Sequence, residues 1–318
     1  MSESSAAMSP AAPAEAPPRR ERQLGWWPRT SFAFVRAMLR VLLAVCGLRG
    51  LYRICRGFGT LEYLINYKRR SRVRGMLRKV FGREITRHER HRMVREHFMR
   101  QRCDKAFYLI ADMLGTEQIK RCFNIVNREL MDGGLARGRG VYVLLCHHGA
   151  HHVTGLTMST LGYRVGGVRD PNEGPLRTYM QSLWAKKHPE LTPPKVVYSG
   201  DFVRDIYRLF KDNYALGSAL DVSRVRDPRL RSLPVQIFGE TRQFLTGTLQ
   251  IALRCRAVVL QGFIVSRDNF VYQLELHGPM VDPEKFEESP ELLGDILQRY
   301  ADNIAEYARQ YPDHITRV

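Results

Sequence analysis

One short stretch, Val141–His152, constrains the fold of this chain more than any other. Its sequence is Val-Tyr-Val-Leu-Leu-Cys-His-His-Gly-Ala-His-His, so an apolar run leads directly into histidines around a Gly-Ala pair. An apolar run of this length is typical of a strand buried on both faces of a sheet. Ligands of open α/β sheets bind beyond the carboxyl ends of the strands. Because histidine titrates near neutral pH, the stretch predicts a chemically active site at a strand end.

From residue 141 onward, short apolar segments alternate with segments of helical periodicity. This alternation predicts an α/β fold with a central, mainly parallel or mixed sheet flanked by helices. The predicted strands are Val141–Leu145, Tyr163–Val168, Lys195–Tyr198, Ala215–Leu220, Ala257–Val265 and Phe270–Leu276. The predicted helices are His152–Leu161, Pro175–Lys187, Phe202–Lys211, Gly247–Arg254 and Pro290–Gln310. We find no internal repeat and no glycine-rich phosphate loop in the sequence.

The chain before residue 58 divides into two parts. Residues 1–29 are mostly Ala, Pro, Ser and charged residues that cannot form a core, which predicts a disordered tail. Residues 30–57 are strongly apolar but interrupted by arginines, and a simple membrane span needs about 20 nearly uncharged residues. The arginines before and after Gly47 point in nearly opposite directions on a helix, which predicts a break there. We therefore predict a membrane-associating amphipathic helix; a helix packed on the domain, with its arginines in water, is the alternative.

Residues 58–318 form the main domain in this interpretation, and the segment from 60 to about 125 is predicted to be helical. Thr86 and Glu89 have the spacing of a capping box at a helix start. The net charge of +18 predicts attraction to polyanions such as nucleic acid, anionic lipid or an acidic protein. Because no zinc-finger spacing or aromatic RNA-binding signature accompanies the basic residues, we expect no nucleic-acid partner.

The histidines allow three uses. A strand-end histidine oriented by a second group can act as a general base. If the stretch is helical, the pairs His147/His151 and His148/His152 could hold zinc, but no third ligand stands out and we predict no metal. The third use is structural packing alone. The adjacent Cys146 fits a small buried residue at the strand end better than a nucleophile.

Several segments resemble the bacterial lipid A biosynthesis acyltransferases, which belong with the wider glycerolipid-type acyltransferases that carry a His-x4-Asp/Glu motif. The segments follow the family's order: His147–His152, Val168–Leu176, Ala219–Asp221, Val235–Gly239, Thr246–Ala257 and Tyr311–His314. The resemblance covers roughly residues 30 to 318, and its specificity lies in the combined order. It implies a glycerolipid acyltransferase-like α/β fold preceded by an N-terminal membrane helix.

The resemblance also implies a reaction and residue roles. His147 would deprotonate a lipid hydroxyl, which attacks an acyl thioester, and backbone N–H groups near Gly149 are candidate donors to the oxyanion. Arg169 is the candidate for binding a phosphate group, and Asn172 lies in the segment that follows it. Asp221 would hold a partner or line the cleft. Gly239 and Thr246 would shape the backbone beside the site.

The chain departs from the family's pattern at one position of the motif. Where the family has an acidic residue, five positions after His147, this sequence has His152. The resemblance therefore implies a His147–His152 dyad, in which a neutral His152 could orient His147 without supplying negative charge, unless another acid such as Asp221 helps. Two functions stay open: an active acyltransferase, and a weakened or inactive relative that binds membranes or lipids.

The remaining expectations concern partners and location. No cofactor is expected beyond the co-substrate, an acyl thioester on acyl carrier protein or coenzyme A. The expected partners are the lipid acceptor, acyl carrier protein and anionic membrane lipids, since a basic surface attracts acidic proteins and lipids. The expected location is the cytoplasmic face of a bacterial inner membrane, with the N-terminal helix as peripheral or inserted anchor.

Overall fold

A computed structural model describes residues 26–170, 176–198, 203–222, 225 and 230–316. Nearly all of the predicted tail, residues 1–29, lies outside them. The helices are α1 Trp26–Ile65, α2 Tyr67–Phe81, α3 Arg87–Ile110, α4 Thr116–Arg121, α5 Arg128–Ala136, α6 Thr154–Thr160, α7 Leu176–Lys187, α8 Val203–Lys211, α9 Gly247–Arg254 and α10 Pro290–Gln310. The strands are β1 Phe123–Val126, β2 Val141–Leu145, β3 Val165–Arg169, β4 Lys195–Tyr198, β5 Ala215–Ala219, β6 Ser232–Ile237, β7 Glu240–Leu245, β8 Val258–Ser266 and β9 Tyr272–His277.

The main sheet has seven strands in the order β1-β9-β8-β2-β5-β3-β4. All of its pairs are parallel except β8 with β9, so the predicted mainly parallel, mixed sheet is confirmed. β2 lies in the middle, between β8 and β5. A second sheet is the antiparallel hairpin of β6 and β7, which packs beside α10.

Helices cover both faces of the main sheet, which explains why its central strands are apolar throughout. Val141 and Val143 of β2 belong to a core with residues of α3, α5, α6 and α7. The intervening Tyr142 and Leu144 belong to a second core with α8, α9 and α10. β2 therefore has no solvent-facing side, and its end opens where the histidines begin.

The sequence predictions of regular elements agree well with the structure in this part of the chain. β2, β4, α9 and α10 have the predicted bounds, and the other predicted elements differ at their ends by a few residues. The capping box of Thr86 and Glu89 is present at the start of α3. Two features were missed: the short edge strand β1, inside a region predicted to be helical, and the hairpin. Pro234 and polar residues weaken the strand pattern of β6, as expected for a peripheral hairpin.

α1 has two different faces and the predicted break. Gly47 interrupts it with φ 64° and ψ −177°. By length and composition alone, Pro28–Ile65 could cross a membrane. One face packs on the domain, where Leu39 and Leu51 are buried, whereas Phe34 and Val45 on the other face are 72% and 78% exposed. The helix is therefore attached to the domain along its length and presents a separate apolar surface.

A buried ion pair holds the first half of α1 in place. Arg36 is 7% exposed, and its two terminal nitrogens lie 2.8 and 2.7 Å from the two carboxylate oxygens of Asp112. The guanidinium also donates to the carbonyl of Leu109. A paired, planar contact of this kind fixes orientation as well as charge. The first arginine within the apolar segment is thus part of the domain interior.

Replacing Asp112 by Ala should weaken the fold, because it leaves the Arg36 guanidinium buried without its carboxylate. We expect the free energy of unfolding to fall by about 3–5 kcal/mol, measured by urea unfolding in detergent. The double variant Arg36→Met/Asp112→Leu should recover most of this loss, since neither charge remains. A single variant as stable as the wild type would show that the pair does not hold α1.

Candidate active site

β2 and β5 are adjacent, parallel and in register, with Leu145 opposite Ala219. His147 follows β2 by two residues, and Asp221 follows β5 by two residues. The parallel register therefore brings both side chains to the same edge of the sheet, beyond the carboxyl ends of its central strands.

The side chains of His147 and Asp221 form a hydrogen-bonded pair. His147 Nδ1 lies 2.9 Å from Asp221 Oδ1, and the backbone N–H of His147 donates to both carboxylate oxygens, at 3.2 and 3.0 Å. The hydroxyl of Tyr300, on α10, lies 3.3 Å from Oδ1 and 2.6 Å from the carbonyl oxygen of Leu145. Backbone and side chain together thus fix the carboxylate relative to the imidazole.

The charge state of Asp221 determines the tautomer of His147. Burial alone would raise the pKa of Asp221, but the hydrogen bond and charge of His147 outweigh it and lower the pKa below the ordinary value. An ionised carboxylate only accepts hydrogen bonds, so His147 Nδ1 carries a hydrogen. In the neutral ring, Nε2 is then the nitrogen with a lone pair available for a proton.

His152 does not take the place of this carboxylate. Its Nε2 lies 3.5 Å from the backbone carbonyl of Asp104, and its ring contacts Tyr108 edge-on. Burial lowers the pKa of His152 to about 4, and the positive charge of Arg177 acts in the same direction. The partner at His147 Nδ1 is Asp221, so the implied dyad of His147 with His152 is replaced by a histidine–aspartate pair.

The histidine turn, His147–His152, is held by hydrogen bonds with residues near position 316. The backbone N–H of Thr316 donates to His148 Nδ1 at 3.1 Å, and its hydroxyl donates to the carbonyl of His147. Burial lowers the pKa of His148 to about 4, so its ring stays neutral and can accept this bond. The Gly149 N–H donates to the carbonyl of His314 at 2.9 Å. These bonds hold the backbone on which the His147 side chain depends.

Gly149 has a structural role that differs from the expected one. Its φ is +66°, and a Cβ atom there would lie 2.3 Å from the carbonyl oxygen of Ile264. Only glycine fits this turn. Because its N–H is bonded to His314, that group is not the oxyanion donor suggested by the sequence.

A cavity of about 1060 Å³ opens beside His147. It extends along one face of the sheet, where Val143, Gly217 and Gly167 lie side by side in register on β2, β5 and β3. Two adjacent glycines leave a groove where side chains would otherwise fill the space. Charged side chains also line the cavity, including Lys105, Arg169 and Arg177. The lining thus combines apolar residues of the sheet with basic side chains.

The other residues predicted for the site have different positions. Arg169, the last residue of β3, lines the cavity. Asn172 lies outside the described residues. Thr246 is buried just before α9, and its N–H donates to the carbonyl of Arg231 at 3.0 Å. Gly239 lies in the turn of the β6–β7 hairpin and is not part of the cavity lining, whereas Leu245 at the other end of β7 is.

Two other chemistries suggested by the histidine stretch find little support. Within the described residues, no group of three His, Cys, Asp or Glu side chains could hold a metal ion. Cys146 is buried, and burial raises the pKa of its thiol well above the ordinary value. The thiol therefore stays protonated, which disfavours it as a nucleophile.

The most important residues that the sequence did not reveal are Tyr300 and Thr316. Both are far from His147 along the chain, and neither stands in a recognisable motif. Tyr300 occupies an inward position of the amphipathic helix α10, which predicts burial but not a polar contact. The Tyr-Pro-Asp-His segment before Thr316 was the available signal, because it belongs to the ordered resemblance.

An α/β sheet with a histidine–aspartate pair at a central strand end, beside a large cavity, is the arrangement expected of an enzyme that uses a histidine as general base. A model of the bacterial lipid A biosynthesis acyltransferase family matches residues 23–313. The chain belongs to this family, which confirms the resemblance recognised in its sequence.

Two further comparisons complete this result. The structure is similar to the 1-acyl-sn-glycerophosphate (LPA) acyltransferase PlsC from Thermotoga maritima, with 14% identity and a TM-score of 0.35, over 85% of this chain and 98% of that chain. A likeness this distant carries no argument about the reaction. No curated protein matches the sequence of this chain.

The neutral state of His152 predicts a specific pH dependence of stability. Its pKa falls from 6.5 to about 4 on folding, so the unfolded chain binds a proton that the folded chain does not. The stability that His152 contributes is therefore present above pH 6.5 and is lost as the pH falls towards 4. The variant His152→Asn should show a smaller drop in unfolding temperature over this range. Equal drops in both proteins would mean that His152 is not held neutral.

Proposed function

We propose that this protein transfers a fatty acyl group from an acyl thioester to a hydroxyl group of a lipid, a lipid A-type glycolipid or its precursor. The observation that carries the proposal is the His147–Asp221 pair, whose His147 lines the cavity. Membership of the acyltransferase family supports the reaction class. The acyl donor is an acyl carrier protein or coenzyme A thioester, and no further cofactor takes part.

In this mechanism, His147 acts as the general base. Nε2 removes the proton of the acceptor hydroxyl while the resulting oxygen nucleophile attacks the thioester carbonyl. The tetrahedral intermediate collapses, the C–S bond breaks, and the leaving thiolate recovers the proton from the imidazolium. Asp221 stabilises that imidazolium by its charge and keeps Nδ1 protonated. Base catalysis of this kind contributes a factor of roughly 10²–10⁴ in rate.

Asp221 supports an active enzyme despite the unusual motif. The family's pattern places the acid five residues after the histidine, and His152 cannot supply negative charge from that position. A carboxylate from the neighbouring strand end meets the same physical requirement, since what matters is a fixed negative charge at Nδ1. The geometry therefore favours the active acyltransferase over the inactive relative.

The cavity suits the two chemically different parts of the substrates. Its apolar lining, including Val143 and Gly167, fits an acyl chain, and its volume lies just above the range of about 300–1,000 Å³ that is typical of ligand pockets. The basic side chains of the lining, including Arg169, fit a phosphate of the acceptor lipid or of the donor's carrier group, because a guanidinium binds phosphate through paired hydrogen bonds. In this proposal the reacting carbonyl lies near His147.

α1 supports an interfacial attachment to the membrane. One face packs on the domain through Arg36 and Leu51, whereas Phe34, Val41 and Val45 point away from it and are largely exposed. A helix fixed on one side and apolar on the other fits the plane of a membrane surface. We place the protein on the cytoplasmic face of a bacterial inner membrane. The positive net charge suits both anionic lipids and an acidic carrier protein.

The cellular function can be tested directly by lipid mass spectrometry. Cells that lack this protein should lose one acyl chain from a lipid A-type glycolipid, and expression of the wild type should restore it. Expression of His147→Ala should not restore it. An unchanged lipid profile in the deletion strain would contradict the proposal.

A transfer assay with the purified protein distinguishes the roles of His147, Asp221 and His152. We expect His147→Ala to abolish measurable transfer and Asp221→Asn to lower kcat by about 10³–10⁴, because the amide favours the wrong tautomer. His152→Asn should stay within about tenfold of the wild type, since hydrogen bonding to a carbonyl is worth about 1 kcal/mol. His152→Glu should bring no gain. Loss of transfer in His152→Asn with Asp221→Asn active would assign the partner role to His152.

A substitution in the cavity should change the preferred acyl chain. At Gly167 the nearest atom to an added Cβ is the Gly217 carbonyl at 3.6 Å, so a side chain fits the strand but enters the groove. Gly167→Val should shift the preference towards shorter acyl donors, measured by competition between acyl thioesters of different length. Gly75→Ala, where nothing lies within 4 Å, is the control and should keep the wild-type preference. An unchanged preference in Gly167→Val would place the acyl chain elsewhere.

A further inference from the structure

Away from the catalytic cavity, α2 and α3 bring several basic side chains together. Arg70 and Arg74 lie on α2, and Arg87, Arg90 and His91 lie at the start of α3. Burial lowers the pKa of His91, and the charges of Arg74, Arg87 and Arg70 lower it further, in that order. Geometry agrees with this grouping. Arg70 and Arg74 are one turn apart on α2, Arg87, Arg90 and His91 share one face at the start of α3, and the two helices pack against each other. None of them lines the cavity beside His147.

The arginines of this cluster have unused hydrogen-bond donors. The Nε atoms of Arg70, Arg74 and Arg90 are shielded from solvent, and none has a hydrogen-bond partner among the described residues. The terminal nitrogens are used only in part: Arg70 donates to the carbonyl of Tyr63 at 3.1 Å, and Arg90 to that of Ile85 at 3.4 Å. These guanidinium groups are only half-buried and keep donors without a partner, so a ligand at their exposed side could supply hydrogen-bond acceptors.

The acidic side chains nearby already have other partners. Four glutamates occur between residues 58 and 100: Glu62, Glu84, Glu89 and Glu96. Glu62 pairs with Arg69 and Arg102, Glu84 with Arg309 and Glu96 with Arg56. Glu89 accepts from the N–H and hydroxyl of Thr86 in the capping box, each at 2.8 Å. No described ion pair therefore neutralises Arg70, Arg74, Arg87 or Arg90.

An exposed apolar surface adjoins the cluster. The guanidinium of Arg70 lies over the rings of Tyr63 and Tyr67, at 5.2 and 5.5 Å from their centres. Leu64 and Ile65, at the end of α1, are 61% and 74% exposed. Tyrosines next to arginines and exposed aliphatic side chains are typical of the level of a membrane where headgroups meet acyl chains.

We propose that Arg70, Arg74 and Arg90 form a binding site for the phosphate of an anionic membrane phospholipid, with its acyl chains against Leu64 and Ile65. Guanidinium groups suit this ligand because their planar N–H groups bind phosphate oxygens in pairs. Free phosphate or a nucleic acid would use the same donors but would leave the apolar neighbours exposed. The site orients the domain on the membrane, separately from the acceptor lipid in the catalytic cavity. It rests on the proposed membrane association and not on acyl transfer.

Vesicle binding by the full chain tests this site with a matched pair of variants. Arg74→Gln/Arg90→Gln removes two charges of the cluster. Arg72→Gln/Arg92→Gln removes two exposed charges from the same helices and is the control. On phosphatidylcholine vesicles that contain phosphatidylglycerol, we expect the cluster variant to lose at least about tenfold more affinity than the control, since hydrogen bonds to charged groups are strong. On pure phosphatidylcholine vesicles the two variants should bind alike.

Lipid-free thermal unfolding separates ligand binding from folding. The cluster variant should unfold at the same or a higher temperature than the wild type, because like charges no longer repel each other. A clear drop in its unfolding temperature would mean that the arginines stabilise the α2–α3 contact, and would overturn the site.

Three further results would contradict the proposal. Equal loss of vesicle affinity in both variants would show a diffuse basic surface without a site. Loss of binding to inorganic phosphate or to an RNA oligomer, with vesicle binding unchanged, would assign the cluster to that ligand. If the wild type fails to bind phosphatidylglycerol vesicles, both this site and the proposed membrane association are contradicted. Acyl transfer measured in detergent tests the proposed reaction separately.

Discussion

The hydrogen bond between His147 and Asp221 depends on the alignment of two strand ends. β2 and β5 are adjacent, parallel and in register, so residues two positions beyond each strand meet. A shift in register would separate them, and the charge that orients the imidazole would be lost. The buried strands therefore do more than form a core, because their packing sets the distance between base and carboxylate. Tyr300 links this pair to the helix that covers the sheet.

Both ends of the described chain contribute to the site. Thr316 and His314 bond to the histidine turn, which cannot accept any residue but glycine at position 149. At the other end, the buried pair of Arg36 and Asp112 attaches α1 beside the helices that enclose the cavity. The helix that we propose to attach the protein to a membrane therefore belongs to the same packed domain as His147.

Much of the fold follows from the sequence, because apolar runs and helical periodicity are local signals. The bounds of β2 and the position of His147 at its end were predictable for this reason. The partner of His147 was predictable only in part. Local spacing pointed to His152, and Asp221, which approaches through strand pairing, was named only as an alternative acid. Gly239 was misplaced for a related reason: the hairpin that contains it has polar, proline-interrupted strands. Contacts between residues far apart in the chain need the topology, and spacing within a motif does not provide it.

The central claim is that Asp221 holds a proton on Nδ1 of His147, and NMR of selectively ¹⁵N-labelled histidine tests it most directly. The account predicts that neutral His147 is the Nδ1–H tautomer, with a downfield ring proton that disappears in Asp221→Asn and persists in His152→Asn. An Nε2–H tautomer in the wild type, or a signal that responds to His152→Asn and not to Asp221→Asn, would contradict the account.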